Sequence, residues 1–291
     1  MKIKRNYKDS VFTTLFNDPA LLRELYCALE GVTLPPDTPV SINTLENVLY
    51  MDIYNDISFE IGGKLVVLVE HQSTIGANLA LRLLLYYTRV LEKSIDSRIL
   101  YSEKRITIPW PEFYVLYNGI KPFPDTDVMR LSDLFDKPQD LGLPEKVTPL
   151  LDLEVKIINI NEGRNGVIVD RCRELSEYSS FIAKARALSD ELGNKEDAIK
   201  ETVKYCQRHG ILKEFLEING SEVLNMLLTE WNTEDCIAVR CEEAREQGLE
   251  QGLEQGLEQG LEQGREDVRR KVFELLDQGL SADEIKQQIR K

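Results

Sequence analysis

The chain has 291 residues, 42% of them hydrophobic and 30% charged, and a formal net charge of −14. That is a globular composition with apolar residues enough for a sizeable core, and its acidity argues against a simple basic nucleic-acid binder. The charge is uneven: residues 1–190 carry 22 Lys and Arg against 27 Asp and Glu, and residues 191–291 carry 14 against 23.

Five scattered cysteines with no C-x-x-C pair exclude a zinc ribbon and a disulfide framework. Two histidines, His71 and His209, exclude a multi-histidine metal site. The longest central apolar run, Leu65 to Val69, is far too short to cross a bilayer. The opening MKIKRNYKDS has no apolar segment behind it, so a signal peptide is not expected and the reducing cytoplasm is.

Asp18-Pro19 reads as a helix cap followed by proline at the first helical position. Leu21, Leu22, Leu25, Tyr26 and Leu29 recur at helical spacing, and Gly31 closes the helix. Leu34 to Pro39 is loop. Asp56 to Ile61 alternates polar and apolar residues as a strand does, Gly62-Gly63 signals a turn, and Lys64 to Glu70 has the near-continuous apolar run of a strand buried on both faces. Asn78 to Ile95 is helical, with Leu79, Leu83, Tyr87 or Tyr86, Val90 and Leu91 on the apolar side. Phe113 to Tyr117 is a third strand, ended by Asn118-Gly119, and Leu153 to Ile160 a fourth. The Pro- and Asp-rich stretch from Pro122 to Pro149 reads mostly as loop. Beyond Asp170 the pattern is helical. Strands interleaved with helices, then helices alone, predict an α/β domain over residues 1–190 and an all-helical remainder. The remainder divides into a helical region (191–245), a repeat linker (246–267) and a C-terminal helical hairpin (268–291).

The repeat is Gly-Leu-Glu-Gln, with glycines at 248, 252, 256, 260 and 264. A four-residue period on a 3.6-residue helix lays Leu249, Leu253, Leu257 and Leu261 along a slowly spiralling stripe. Glycine at every fourth position costs about 1 kcal/mol each relative to alanine. The tract is either a low-complexity linker or a self-association face. In the hairpin, Ser281 with Glu284 three residues on forms a capping box. Such a unit packs or oligomerises more often than it reads DNA.

Chemistry concentrates between Asn55 and Ser73. An acid, Asp56, opens one strand, and a second, Glu70, ends the next, fourteen residues on. A carboxylate ending so apolar a strand is costly unless it is paired or ligates a cation. Two carboxylates on adjacent strands suit Mg²⁺, which keeps several waters and serves phosphate chemistry. Parity constrains the idea. A strict two-residue turn at Gly62-Gly63 pairs Asp56 with Val69 and puts Glu70 out of step. Convergence of the two acids therefore calls for a three-residue or bulged connection near Gly62 to Lys64.

The runs NDISFEIGGKLVVLVEHQST, ANLALRLLLYYTRVLE and PEFYVLYNG, with LDLEVKIININ and GILKEFL further on, resemble the Rpn family of recombination-promoting nucleases, also classed as putative transposases. The similarity runs from Tyr7 to about Glu246. It implies the PD-(D/E)XK restriction-endonuclease-like core, a mixed sheet flanked by helices. The superfamily signature, Asp then Glu-x-Lys, falls on Asp56 and Glu70-His71-Gln72, with glutamine for lysine, a form usual in the family. The resemblance implies a DNA endonuclease dependent on Mg²⁺ (or Mn²⁺), with a role in recombination, mobile elements or phage defence. Asp56, Glu70 and the His71 carbonyl would be metal ligands. Gln72 would orient the attacking water or contact a phosphate oxygen, since it cannot act as a base. The His71 side chain is expected to pack on the far face of the strand.

On the following helix Arg82, Tyr86, Arg89 and Lys93 share one face. Arg82, Arg89 and Lys93 are candidate DNA-phosphate contacts, against the plainer reading of a solvated face with Tyr86 in the core. Asp9 and Glu24 are lesser candidates near the site, and Asp52 is a rival for the first carboxylate. Glu154-Val155-Lys156, with Asp140 fourteen residues before it, is a literal Glu-x-Lys. Pro144 and Pro149 interrupt the hairpin it would need.

DNA and a second copy, as a dimer, are the expected partners. The competing reading is a non-catalytic assembly or DNA-binding protein that uses the nuclease fold as a scaffold. A third has the acidic tail restrain the nuclease by covering a basic groove.

Overall fold

Asp18 and Pro19 start a helix as their chemistry dictates. In a computed structural model, which describes residues 10–42, 56–71, 75–96, 98–136 and 149–277, the Asp18 carboxylate accepts from the N–H groups of Ala20 at 2.7 Å and Leu21 at 3.1 Å. Helix α2 (Pro19–Glu30) follows and ends at Gly31, whose φ of 66° is the left-handed conformation that glycine adopts without strain. A short α1 (Val11–Leu15), capped by Ser10, precedes it.

Among the described residues, six strands form one mixed sheet: β1 (Val40–Ile42), β2 (Asp56–Ile61), β3 (Lys64–His71), β4 (Trp110–Tyr117), β5 (Thr126–Arg130) and β6 (Glu154–Asn159), in the order β1-β2-β3-β4-β6-β5. β3, β4 and β6 run parallel, while β1, β2 and β5 pair antiparallel with their neighbours. Helix α3 (Leu79–Ser94) connects β3 to β4. The α/β class expected from the sequence is the one found.

Both faces of the sheet are covered, which explains the continuous apolar runs of its central strands. Along β4, Tyr114 and Leu116 join Phe59, Ile61, Val66 and Ile158 in a core with α1, α2 and α5 (Arg173–Leu192). Phe113, Val115 and Tyr117 alternate to the other face and pack with Val155, Ile157 and the α3 residues Leu79, Leu83 and Tyr86. Each such fully buried side chain contributes about 1.5–3 kcal/mol.

Two expectations need correction. The β2–β3 connection carries neither a third residue nor a bulge: Ile61 pairs with Lys64, and Asp56 with Val69. Gly62 and Gly63 have φ of 54° and 79°, the consecutive left-handed pair of a two-residue type I′ turn, whose twist matches the flanking strands. The stretch from Pro122 is also not all loop. It contains β5, which pairs along β6 from Thr126–Ile158 to Arg130–Glu154, and a 3₁₀ turn at Leu131–Leu134. β1 is likewise a strand that the sequence did not announce.

After β6 come α4 (Gly166–Val169), α5, α6 (Lys195–His209) and α7 (Lys213–Asp277). The chain divides into two compact units, Met1–Trp231 and Asn232–Lys291. The Gly-Leu-Glu-Gln tract lies in α7, with Leu249, Leu253, Leu257 and Leu261 58–69% exposed. The Ser281 capping box lies outside the described residues. Among the described residues no helix is long and apolar enough to cross a membrane.

Candidate functional site

Parallel pairing aligns the carboxyl ends of three strands. His71 is in register with Tyr117, and Tyr117 with Asn159. The hairpin adds Asp56, opposite Val69 at the same edge. In open α/β sheets ligands bind outside this edge. Asp56, Glu70 and His71 therefore share one strand-end region, reached by backbone geometry alone. Their side chains, and Gln72 entirely, lie outside the described residues, as do Asp9, Asp52 and Asp140. The regular register leaves Asp56 and Glu70 at positions of opposite parity, so the two acids meet only by reaching around the strand ends.

The other half of the edge is built from asparagines. Asn118 and Asn159 are buried at the ends of β4 and β6. Asn161 donates to the Asn159 side-chain oxygen at 2.9 Å and to the Gly119 carbonyl at 3.1 Å, and Asn159 donates to the Phe123 carbonyl at 3.0 Å. Arg186 of α5 ties these together, donating to the side-chain oxygens of Asn118 at 3.2 Å and Asn161 at 3.1 Å and to the Asn118 carbonyl. The Asn118 amide nitrogen has no partner among the described residues. A cleft of about 300 Å³, lined by Lys121, Asn159, Asn161, Arg164 and Arg186 among others, opens beside it. From the sequence, Asn118-Gly119 reads only as a strand end. The one available hint was the Asn159-Ile160-Asn161 alternation closing β6.

Helix α3 runs back from the end of β3 toward the start of β4. Arg82 stands in its first turn, half-buried, with no ion pair among the described residues. Tyr86 is 1% exposed and belongs to the core beneath the helix. Arg89 is half-buried one further turn on. Lys93 is eleven residues past Arg82, roughly 16 Å along the axis at 1.5 Å per residue, toward the opposite edge of the sheet.

That opposite edge holds the literal Glu-x-Lys, and both its residues are engaged. Glu154 pairs with Arg130, and Lys156 with Glu30 of α2 at 2.7 Å. Glu30 also accepts from the Tyr114 hydroxyl at 2.5 Å, and Lys64 donates to Glu112 at 2.6 Å and to Tyr26 at 2.7 Å. Burial opposes ionisation of Glu30, but the bonds from Lys156 and Tyr114 outweigh it and hold the carboxyl below its ordinary value. Hydrogen bonding to Glu112, then to Tyr26, pushes the Lys64 ammonium pKa up. The network fastens α2 to the sheet with its charges mutually spent. Glu24 is exposed on α2.

No group of three His, Cys, Asp or Glu side chains among the described residues could hold a metal. The donor chemistry of Asp56 and Glu70, two carboxylates at one sheet edge, suits a hard divalent cation.

No curated protein and no solved structure matches the chain. The family model described as "Putative transposase, YhgA-like" matches residues 10–166, from the cap of α1 through all six strands to the start of α4. With over half its length inside that match, the chain belongs to the YhgA-like transposase family.

Proposed function

We propose that this protein is a metal-dependent endonuclease that hydrolyses phosphodiester bonds in DNA, on a PD-(D/E)XK-type core. The observation that supports this reading is that Asp56 opens β2 and Glu70 lies at the end of β3, at the same end of the hairpin and within the family-matched stretch, with the regular register requiring the two acids to meet around the strand ends. Asp56, Glu70 and the His71 carbonyl would hold Mg²⁺ or Mn²⁺. The ion supplies Lewis-acid polarisation of the phosphodiester and a more acidic bound water. Gln72 orients the water or a phosphate oxygen. Arg82, at the same end of α3 and without an ion pair among the described residues, offers a guanidinium to a DNA phosphate. Arg89 and Lys93 extend this contact along the helix.

Plasmid cleavage by the purified protein tests this, with Mg²⁺, with EDTA, and in the Asp56→Ala and Glu70→Ala variants. Metal-dependent cutting abolished by both substitutions is the expected result. Cutting that survives both would move the chemistry elsewhere. A second reading, a non-catalytic assembly protein built through its tail, is favoured by the exposed leucines of α7. An intact and a tail-deleted protein that both leave DNA uncut would select it.

A further inference from the structure

A larger cleft, about 630 Å³, lies between α2, the segment 31–36 and Arg171. It shares no residue with the carboxyl edge. Two guanidinium groups line it, Arg23 and Arg171, and neither has a hydrogen bond or ion pair among the described residues. Arg98, Arg130, Arg164, Arg173 and Arg186, by contrast, spend donors in ion pairs or hydrogen bonds.

The exposed Arg171 side chain reaches over Gly31. Its Nη1 lies 2.9 Å from the point where a Cβ would stand on residue 31. Gly31 is favoured for its positive φ, and its missing side chain leaves room for the guanidinium. A guanidinium with its donors unspent is the group that recognises a phosphate or carboxylate bidentately. A pair of them around one cleft favours the doubly charged phosphate monoester. Ala28, Val32, Leu34 and Pro36 add apolar surface, beside Cys27 and Thr33. Glu24 adds one acceptor for hydroxyl or amino groups. The volume is that of a small-molecule site.

We infer that this cleft binds a phosphate monoester with a flat organic body, of the size and chemistry of a nucleoside 5′-monophosphate. The two arginines take the phosphate, the apolar wall takes the base, and Glu24 accepts from the sugar or base. The inference is independent of the nuclease reading.

Calorimetric titration of the full-length protein with adenosine 5′-monophosphate, adenosine and inorganic phosphate tests it. The nucleotide should bind most tightly, phosphate more weakly, and adenosine not measurably. Arg171→Ala removes an exposed side chain with no ion pair among the described residues and should weaken nucleotide binding at least tenfold without shifting the melting temperature. Arg23→Ala should do likewise. Gly31→Ala should weaken binding by displacing Arg171. Binding should persist in the Asp56→Ala/Glu70→Ala protein, which separates this cleft from the edge where cleavage is proposed. Phosphate binding as tightly as the nucleotide, nucleotide affinity unchanged by both arginine substitutions, or no binding by the intact protein would each overturn the assignment.

Discussion

Arg186 and Asn118 are joined twice, once through the asparagine's side-chain oxygen at 3.2 Å and once through its main-chain carbonyl. The two residues are 68 positions apart in the chain, and the pair pins α5 to the end of β4. With Asn161 as a third acceptor, one planar guanidinium satisfies three oxygens at the carboxyl edge.

Replacing Arg186 by alanine strips partners from buried acceptors, at about 1–3 kcal/mol for each one left unsatisfied. Arg186→Ala is therefore expected to lower stability by about 2–4 kcal/mol in urea denaturation. Arg186→Lys should recover only part, since an ammonium lacks the planar fork. An alanine variant that unfolds with the native protein would remove the clamp from the account.

The position of α3 separates its basic residues. Arg82 lies at the carboxyl edge and Lys93 toward the other, so Arg82→Ala should weaken DNA binding about tenfold, the loss of one charged hydrogen bond of roughly 1.5 kcal/mol. Lys93→Ala should have a smaller effect. Binding measured across a salt series, where each lost phosphate contact flattens the slope, distinguishes the two. Equal effects would show that the whole helix, not its first turn, meets the nucleic acid.

Glu30 makes stability depend on acid. Its carboxyl is held below the ordinary 4.5 in the folded chain, so its contribution is complete above that value and is lost as pH falls through the depressed one. Glu30→Gln should be less stable than the native protein at pH 6, and the gap should close on going to pH 3. Urea midpoints at the two pH values measure this, and a gap that stays constant would mean that the carboxylate's charge is not what Lys156 and Tyr114 hold.

The exposed leucines of α7 predict a change in assembly rather than in folding. Leu253→Glu with Leu257→Glu removes apolar surface that the chain itself leaves uncovered. The doubly substituted protein should melt with the native one yet sediment as a smaller species. Unchanged sedimentation would leave the stripe without a partner.

The β2–β3 hairpin was legible because two adjacent glycines between β-rich runs admit few turns. The expected bulge follows from the convergence of two acids, not from the turn residues themselves. Turn chemistry at Gly62-Gly63 argued for the regular form and prevailed. β5 escaped notice because Asp127, Val128 and Arg130 are exposed and show no alternation; its order comes from main-chain pairing with β6. The asparagine cluster was illegible for a different reason. Asparagine after a strand signals a turn in any sequence, and only the tertiary approach of Arg186 distinguishes Asn118 from a loop residue. Of the Arg82–Lys93 stripe, periodicity gave the shared face, but which end meets the edge depends on the direction in which α3 crosses the sheet.

The sheet ends in short strands on both sides. β1 has three residues, and β5 has five, with Asp127 and with Arg130 drawn onto Glu154. A flat, uncharged border would be a template for a strand from another molecule. Here one border is too brief to register a newcomer and the other carries charges that a newcomer would have to bury. The protein can thus crowd its neighbours at high concentration without their sheets fusing into a continuous ribbon.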